Sequence, residues 1–294
     1  MTASPRLKDA HTALPQPIFD QQRENTRVVG YGKPYDWAQG EKLSEEEILK
    51  LPRSIYLPQI AVELGLGKFI YAPIPTAQNA LMCTEAELMG RRDNFESELY
   101  KTNVWLLRAH ADGTVLSKGH SFVQFTAGCP HIIMRGKGTE LGVAHAGRDC
   151  LVDRGALAGL RPRKYESVVM SLTEAMLKTT SSVKDLEAEI LFSINPEDFP
   201  HRWDHPVFGK KNKILTEFIA ERWGTACILG YANPKRRAEG KIDLEMVIRR
   251  QLISLGVSPA FIRSVPAPSR EFWHDTREEH SDPRARNMVI VKNL

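Results

Sequence analysis

From Asn103 onward the chain alternates short apolar runs with turn residues. Val104–Leu107 is a continuous apolar run of strand character. Asp112-Gly113 signals a hairpin turn, after which Thr114–Leu116 return and Ser121–Thr126 form the next strand. The stretch Phe122–Asp149, FVQFTAGCPHIIMRGKGTELGVAHAGRD, then folds about Gly136-Lys137-Gly138, a turn between two apolar arms. Residues 103–146 therefore predict a meander of successive strands. Further along, apolar positions at helical spacing predict helices over Val168–Leu177, Ile214–Trp223 and Leu244–Leu255, the last closed by Gly256, and a helix beginning near Asp149 covers Leu151–Leu160. Leu186–Ile194, Ala260–Val265 and Met288–Val291 read as strands. Strands and helices in mixed order predict an α+β or layered α/β domain.

The first hundred residues carry a weaker pattern. Residues 1–28 are polar and proline-bearing without a period, and read as a flexible tail. Residues 29–102 read as a region packed on the core formed by 103–294. Within it Tyr31–Trp37 is aromatic and glycine-rich, a loop or an edge strand. Ser44–Glu47 is a capping box opening a short helix that Pro52 ends.

Composition excludes more than it identifies. The 294 residues are 42% hydrophobic and 26% charged, the balance of an ordinary globular chain. A net charge of +4 is too small for this length to argue for nucleic acid. The basic clusters Lys210-Lys211-Lys213 and Lys235-Arg236-Arg237 read as solvated surface or as phosphate contacts. No apolar run approaches the roughly 20 residues that span a bilayer, and the N-terminus lacks an apolar signal core. Cys83, Cys129, Cys150 and Cys227 are scattered without a CxxC pair, as suits free thiols in a reducing cytoplasm. The expected setting is cytoplasmic, with neither membrane nor nucleic acid as partner.

The chemistry concentrates on the 136–138 turn. With Lys137 as apex, Cys129 falls opposite His145, and directly opposed side chains in an antiparallel pair have Cβ atoms roughly 4.5–5.5 Å apart. A thiol beside an imidazole is the minimum for nucleophilic catalysis. A bulge in the loop slips such a register by one. The alternative is that Cys129 is simply a core residue, as free cysteines often are. His110, His120 and His131 are candidates for a third group, and His plus Cys plus His would suit zinc or copper with an open position. His131, two residues from Cys129, shares its strand face. Arg148 and Arg154 could meet an anion such as phosphate, or pair with Asp149 and Asp153. There is no GxGxxG, P-loop or HExxH motif.

The stretch TAGCPHIIM…GVAHAGRD resembles the paired motif of the laccase-domain (polyphenol oxidase, purine nucleoside phosphorylase) family, TADCxPVLL and AAHAGWRG. LEAEILFSINPEDF, DLEMVIRRQLISLGVSPAFI and FWHDTREEHSDPRARNMVIVKNL are similar to later family segments, so the resemblance spans 103–294. It implies a layered α/β/β/α fold of mixed sheets. It also implies an enzyme acting on purine nucleosides, by phosphorolysis (a transferase) or hydrolytic deamination, through a Cys-His centre. The family's His-Cys-His group, which holds zinc or copper, falls on His110, Cys129 and His145; no organic cofactor is implied. Arg148, Arg277 and Arg286 fall on substrate-binding positions for the nucleoside and phosphate. The sequence departs from the family in having Gly128 for an acidic residue and HAGRDC for HAGWRG.

The Cys129/His145 pair also resembles the catalytic domain of the cytotoxic necrotizing factors, which share the broad fold and deamidate a protein glutamine. That resemblance implies a metal-free cysteine hydrolase with a protein substrate, and alkylation of Cys129 well below pH ~8.5, the ordinary thiol value. A third reading is a non-catalytic member whose altered motifs have lost the chemistry.

Overall fold

The computed structural model describes residues 14–32, 52–75, 82–90, 98–99, 103–126, 128–157, 159, 164–199, 202–268 and 287–294. Strands β1 (Phe19–Arg23) and β2 (Thr26–Tyr31) form an antiparallel pair in which Arg23 opposes Thr26. Helix α1 (Pro52–Leu64) precedes β3 (Phe69–Tyr71), β4 (Met82–Cys83), helix α2 (Glu85–Gly90), β5 (Glu98–Leu99) and β6 (Trp105–Leu107). Strands β7 (Gly113–Leu116), β8 (Ser121–Thr126), β9 (His131–Arg135) and β10 (Leu141–His145) follow. The C-terminal half adds helix α3 (Arg154–Leu157), helix α4 (Val168–Met176) and strand β11 (Glu187–Leu191), then helices α5 (Gly209–Trp223), α6 (Pro234–Arg237) and α7 (Leu244–Ser254), and closes with strands β12 (Ile262–Val265) and β13 (Asn287–Asn293).

The strands make two mixed sheets, of order β1-β2-β13-β8-β3-β6-β5 and β12-β11-β9-β10-β7-β4. The alternation of side chains along each strand sorts the core into three layers. In β13, Val289 and Val291 pack between the sheets, with Phe122, Ile133, Leu141, Val143 and Leu191. Met288 and Ile290 turn the other way, onto Tyr56, Leu57 and Ile60 of α1. On the outer face of the second sheet, Ile132, Met134 and Ala144 pack on Val169, Leu172 and Met176 of α4 and on Val247, Ile248 and Leu252 of α7. Each such aliphatic side chain, fully buried, contributes about 1.5–3 kcal/mol. The architecture is the layered α/β/β/α arrangement that the resemblance implies.

Several expectations change. The 103–146 meander divides between sheets: β6 and β8 join the first, while β7, β9 and β10 join the second. Asp112-Gly113 is accordingly no hairpin turn; it lies where the chain crosses from one sheet to the other, and Gly113 begins β7. Its missing side chain is required, because a Cβ there would strike the Val143 carbonyl and Ala144. Second, β1 and β2 occupy part of the supposed tail from Phe19 onward, since β2 pairs with β13 inside the sheet. Pro52 begins helix α1, a first-turn position where its absent N–H costs nothing, while the helix expected to end at Pro52 lies outside the described residues. The predicted capping box at 44–47 lies outside the described residues. After Asp149 the predicted helix reduces to a 3₁₀ turn at Arg148–Cys150 and the single turn of α3. The helices around Val168 and Leu244 stand, the second stopped by Gly256 at φ 97°.

Candidate active site

The hairpin β9–β10 pairs Arg135 with Leu141 and His131 with His145. The loop is two residues longer than a 136–138 turn, so His131, not Cys129, stands directly opposite His145. On the other side β10 pairs with β7, Ala144 opposing Gly113. The next step of that register sets Asp112 beside His145, whose backbone N–H donates to the Asp112 carbonyl at 2.7 Å. Leu191, His131, His145 and Asp112 thus form one row across the end of the second sheet.

Cys129 reaches this row from the β8–β9 connection. Gly128 precedes it at φ 123°, a backbone region that only glycine enters without strain. The glycine that stands for the family's acidic residue is therefore required by the turn. The Thr126 hydroxyl donates to the Cys129 carbonyl at 3.4 Å, and Ala146 N–H donates to the Pro130 carbonyl at 2.8 Å, tying the loop to the end of β10. Gly147 shows how near the pair comes. A Cβ there would lie 3.0 Å from Cys129 Sγ, 2.8 Å from His145 Cε1 and 3.1 Å from His145 Nε2. Thiol and imidazole edge converge on one point and can be no farther apart than those distances together. Cys129 is half-buried; His145 is 9% exposed.

The other edge of the His145 ring faces inward. Its Nδ1 is 3.5 Å from Cys150 Sγ, and the Cys150 thiol donates to Asp112 Oδ1 at 3.1 Å. The 3₁₀ turn after Gly147 brings Cys150 back beneath the histidine, its N–H donating to the Gly147 carbonyl. Burial holds the His145 imidazolium down below the usual histidine range, against the opposing pull of Asp112 and Asp149. The Cys150 thiol is pushed well up by burial and then by the Asp112 charge, so it stands as a donor. His131 is fully buried, its ring 5.8 Å from that of His145, and neither of its nitrogens has a hydrogen-bond partner among the described residues. Burial and the neighbouring His145 hold it neutral.

The remaining predicted residues lie otherwise. His110 is exposed at an isolated bridge to Ile74, and His120 pairs with Glu85 at 2.6 Å. Neither joins a cluster of metal-donor atoms. The described residues contain one such cluster, Asp112, His145 and Cys150, with donor atoms all within 4.8 Å of one another. The His110–Cys129–His145 set implied by resemblance is not brought together within that distance. Arg148 is 11% exposed at its side chain and turned to protein partners: Nε donates to Asp149 at 3.0 Å and a terminal nitrogen to Asn212 Oδ1 at 2.8 Å. Arg277 and Arg286 lie outside the described residues. In the second basic cluster, Arg236 is paired with Glu197 and Arg237 lies over the Tyr231 ring. A cavity of about 270 Å³ lined by Arg135, Lys137, Lys184 and Asp185 lies at the far end of the hairpin and is no part of the site. Asp112 and Cys150 were not legible as site residues: the first read as a turn, the second as one scattered thiol. The signal available was Cys150 five residues after His145 across a glycine.

No protein-family model and no curated protein matches the sequence. Solved structures do. The chain is similar to the hypothetical protein YfiH of Bacillus licheniformis, with a TM-score of 0.60 and 14% identity over 92% of this chain and 93% of the other. It is similar to Neisseria meningitidis NMB0706, described under family DUF152, with a TM-score of 0.58 and 14% identity over 92% and 95%. It is similar to YlmD of Geobacillus stearothermophilus, with a TM-score of 0.54 and 15% identity over 95% and 99%. At that identity the likeness is one of architecture, and it runs through nearly the full length of each partner. The chain has the layered fold of YfiH and YlmD.

Proposed function

We propose that the chain is an enzyme acting on purine nucleosides, by hydrolytic deamination or by phosphorolysis, at the gap between Cys129 and His145. The observation that carries this is the convergence of the Cys129 thiol and the His145 Nε2 edge over Gly147. The motif resemblance at these residues and the shared fold support the substrate class. For deamination, the neutral His145 takes a proton from water as the oxygen adds to the ring carbon bearing the amine. It then returns the proton to the leaving nitrogen, so nucleoside and water become the oxo-nucleoside and ammonia. Phosphorolysis asks for an anion site as well, and Arg148 already serves Asp149 and Asn212, so hydrolysis requires less rearrangement. The zinc or copper implied on His110, Cys129 and His145 does not fit these residues as they stand, since their donor atoms are not gathered within 4.8 Å of one another, and no step runs through it. The four free cysteines suit a reducing cytoplasm. Incubation with adenosine or inosine, with and without phosphate, tests the reading through release of ammonia or free base. Neither product from folded protein, with or without added zinc, rejects it.

A second reading rests on the other side of the ring. Thiol, imidazole and carboxylate follow in the order Cys129, His145, Asp112, with Cys150 between the last two, the sequence of roles in a cysteine amidase. Here Cys129 adds to an amide carbon, His145 protonates the departing ammonia, and water cleaves the thioester. A covalent adduct on Cys129, trapped from a glutamine-bearing protein or peptide and absent with nucleosides, would favour it.

A further inference from the structure

We infer that Asp112, His145 and Cys150 form a zinc-type cation site, in place of the His-Cys-His set to which the resemblance points. The inference concerns the same centre as the proposed function but does not depend on the substrate.

Three features carry it. The donor atoms are one carboxylate oxygen, one imidazole nitrogen and one sulfur, the mixed set that suits a borderline-soft ion in tetrahedral coordination. The spacing fits as well. Zinc bonds of ~2.0 Å to nitrogen or oxygen and ~2.3 Å to sulfur place tetrahedral ligands roughly 3.3–3.6 Å apart. Cys150 Sγ lies 3.5 Å from His145 Nδ1, within that range, and 3.1 Å from Asp112 Oδ1, a short step under it, and the donor atoms of the three residues fall within 4.8 Å of one another. The third feature is how the ligands are held. All three are buried. Asp112, just before β7, and His145, at the end of β10, are fixed by the 2.7 Å backbone bond between them, and Cys150 sits on the 3₁₀ turn closed onto Gly147. The polar row continues in His131, whose two nitrogens have no partner among the described residues, so this end of the sheet carries more donor and acceptor capacity than its members satisfy.

Binding exchanges the Cys150 thiol proton for the ion and releases one proton to solvent. His145 would hold the cation through Nδ1, which leaves Nε2 carrying its proton toward Cys129; the proton-accepting role proposed above for His145 therefore belongs to the chain without the ion. Three protein ligands leave one position for water or a substrate atom, the pattern of catalytic zinc sites. Cys129, on the opposite edge of the ring, is not a ligand. That separates this site from the one implied by family resemblance.

Cobalt(II) added to the chelator-treated full-length chain reports thiolate ligation through its charge-transfer absorption. The expected result is a thiolate band in the wild type and in Cys129→Ala, and its loss in Cys150→Ser and Asp112→Asn. Zinc added to the wild type should also bind with release of a proton from Cys150, a readout that needs no variant to fold. A band that survives Cys150→Ser and vanishes in Cys129→Ala overturns the inference. So does folded wild-type protein that shows neither a cobalt band nor proton release on adding zinc. Cobalt binding without any turnover of nucleosides would reject the substrate class and leave the cation site standing.

Discussion

Gly147→Ala is the sharpest probe of the Cys129–His145 geometry. Gly147 has φ −64° and ψ 160°, a backbone alanine adopts freely, so the variant adds a methyl group without backbone strain. That methyl would stand 2.8 Å from His145 Cε1, 3.0 Å from Cys129 Sγ and 3.1 Å from His145 Nε2, against an optimum near 3.5–4.0 Å for such contacts. The imidazole or the thiol must retreat by about 0.5–1 Å to recover ordinary contact. His145 has little room, being 9% exposed and held by its N–H to Asp112 and its Nδ1 against Cys150. Overpacking of this kind costs about 1–3 kcal/mol, or a few degrees in Tm for a chain of this size. A misplacement of ~1 Å in a reacting group costs on the order of 100-fold in rate. The expected result is therefore a modest loss in Tm with a loss of about 100-fold in kcat/KM and a changed alkylation rate at Cys129. Gly142→Ala supplies the control: its methyl would meet Leu172 Cδ1 at 2.7 Å and Met176 Sδ at 2.8 Å, a similar steric load on the α4 face. It should lower Tm comparably and leave Cys129 alkylation unchanged. Wild-type kcat/KM and alkylation in Gly147→Ala would refute the convergence of the two side chains on this point.

Burial keeps His131 and His145 neutral in the folded chain, both below the usual histidine range, whereas unfolded histidines titrate near 6.5. Below about pH 6.5 the unfolded state therefore binds more protons, and stability is lost as pH falls. Tm measured from pH 8 to 5 should decline along that limb, and His131→Leu should flatten it; an unchanged limb in the variant would exclude His131 as its source. Arg148→Ala removes hydrogen bonds to Asp149 and Asn212 from a side chain 11% exposed. Denaturant titration should show a loss of about 1–3 kcal/mol with the KM for phosphate unchanged, and a selective rise in that KM would return Arg148 to an anion-binding role. Gly113→Ala drives a methyl into the Val143 carbonyl and Ala144, backbone that cannot move without breaking β7 from β10. A cost of about 3 kcal/mol or more is expected, and a folded variant of native midpoint would contradict the pairing.

What the sequence disclosed of the fold depended on whether the information was local. Helix α4 and helix α7 follow from apolar spacing and a serine or aspartate cap within one stretch of chain, and α7 also from the glycine that stops it. Sheet membership has no such carrier. Every residue of β8 and β10 is buried, so these strands lack the polar face that would say on which side of a sheet they lie. The meander reading failed for that reason. β1 failed in the opposite way: as an edge strand with an exposed, largely polar sequence it looks like tail until β2 is seen paired with β13, more than 250 residues away.

The nearness of Cys129 and His145 was legible although the register that predicts it is not the one the strands adopt. A turn centred on Lys137 sets Cys129 opposite His145, whereas the strands place His131 there. The discrepancy is two residues, and side chains along a strand alternate with period two. A slip of one would have carried Cys129 to the α4 face, away from the imidazole. A slip of two preserves the face and moves the cysteine only one step along it, out of the strand and into the loop where Gly128 turns the chain back toward Gly147. Parity in a strand is thus a sturdier inference than register. The same reasoning explains what stayed hidden. Asp112 meets His145 through the β7–β10 pairing, and Cys150 meets Asp112 through a 3₁₀ turn that follows no apolar period. Both contacts depend on the crossing between sheets, the one part of the topology that hydrophobic pattern did not carry.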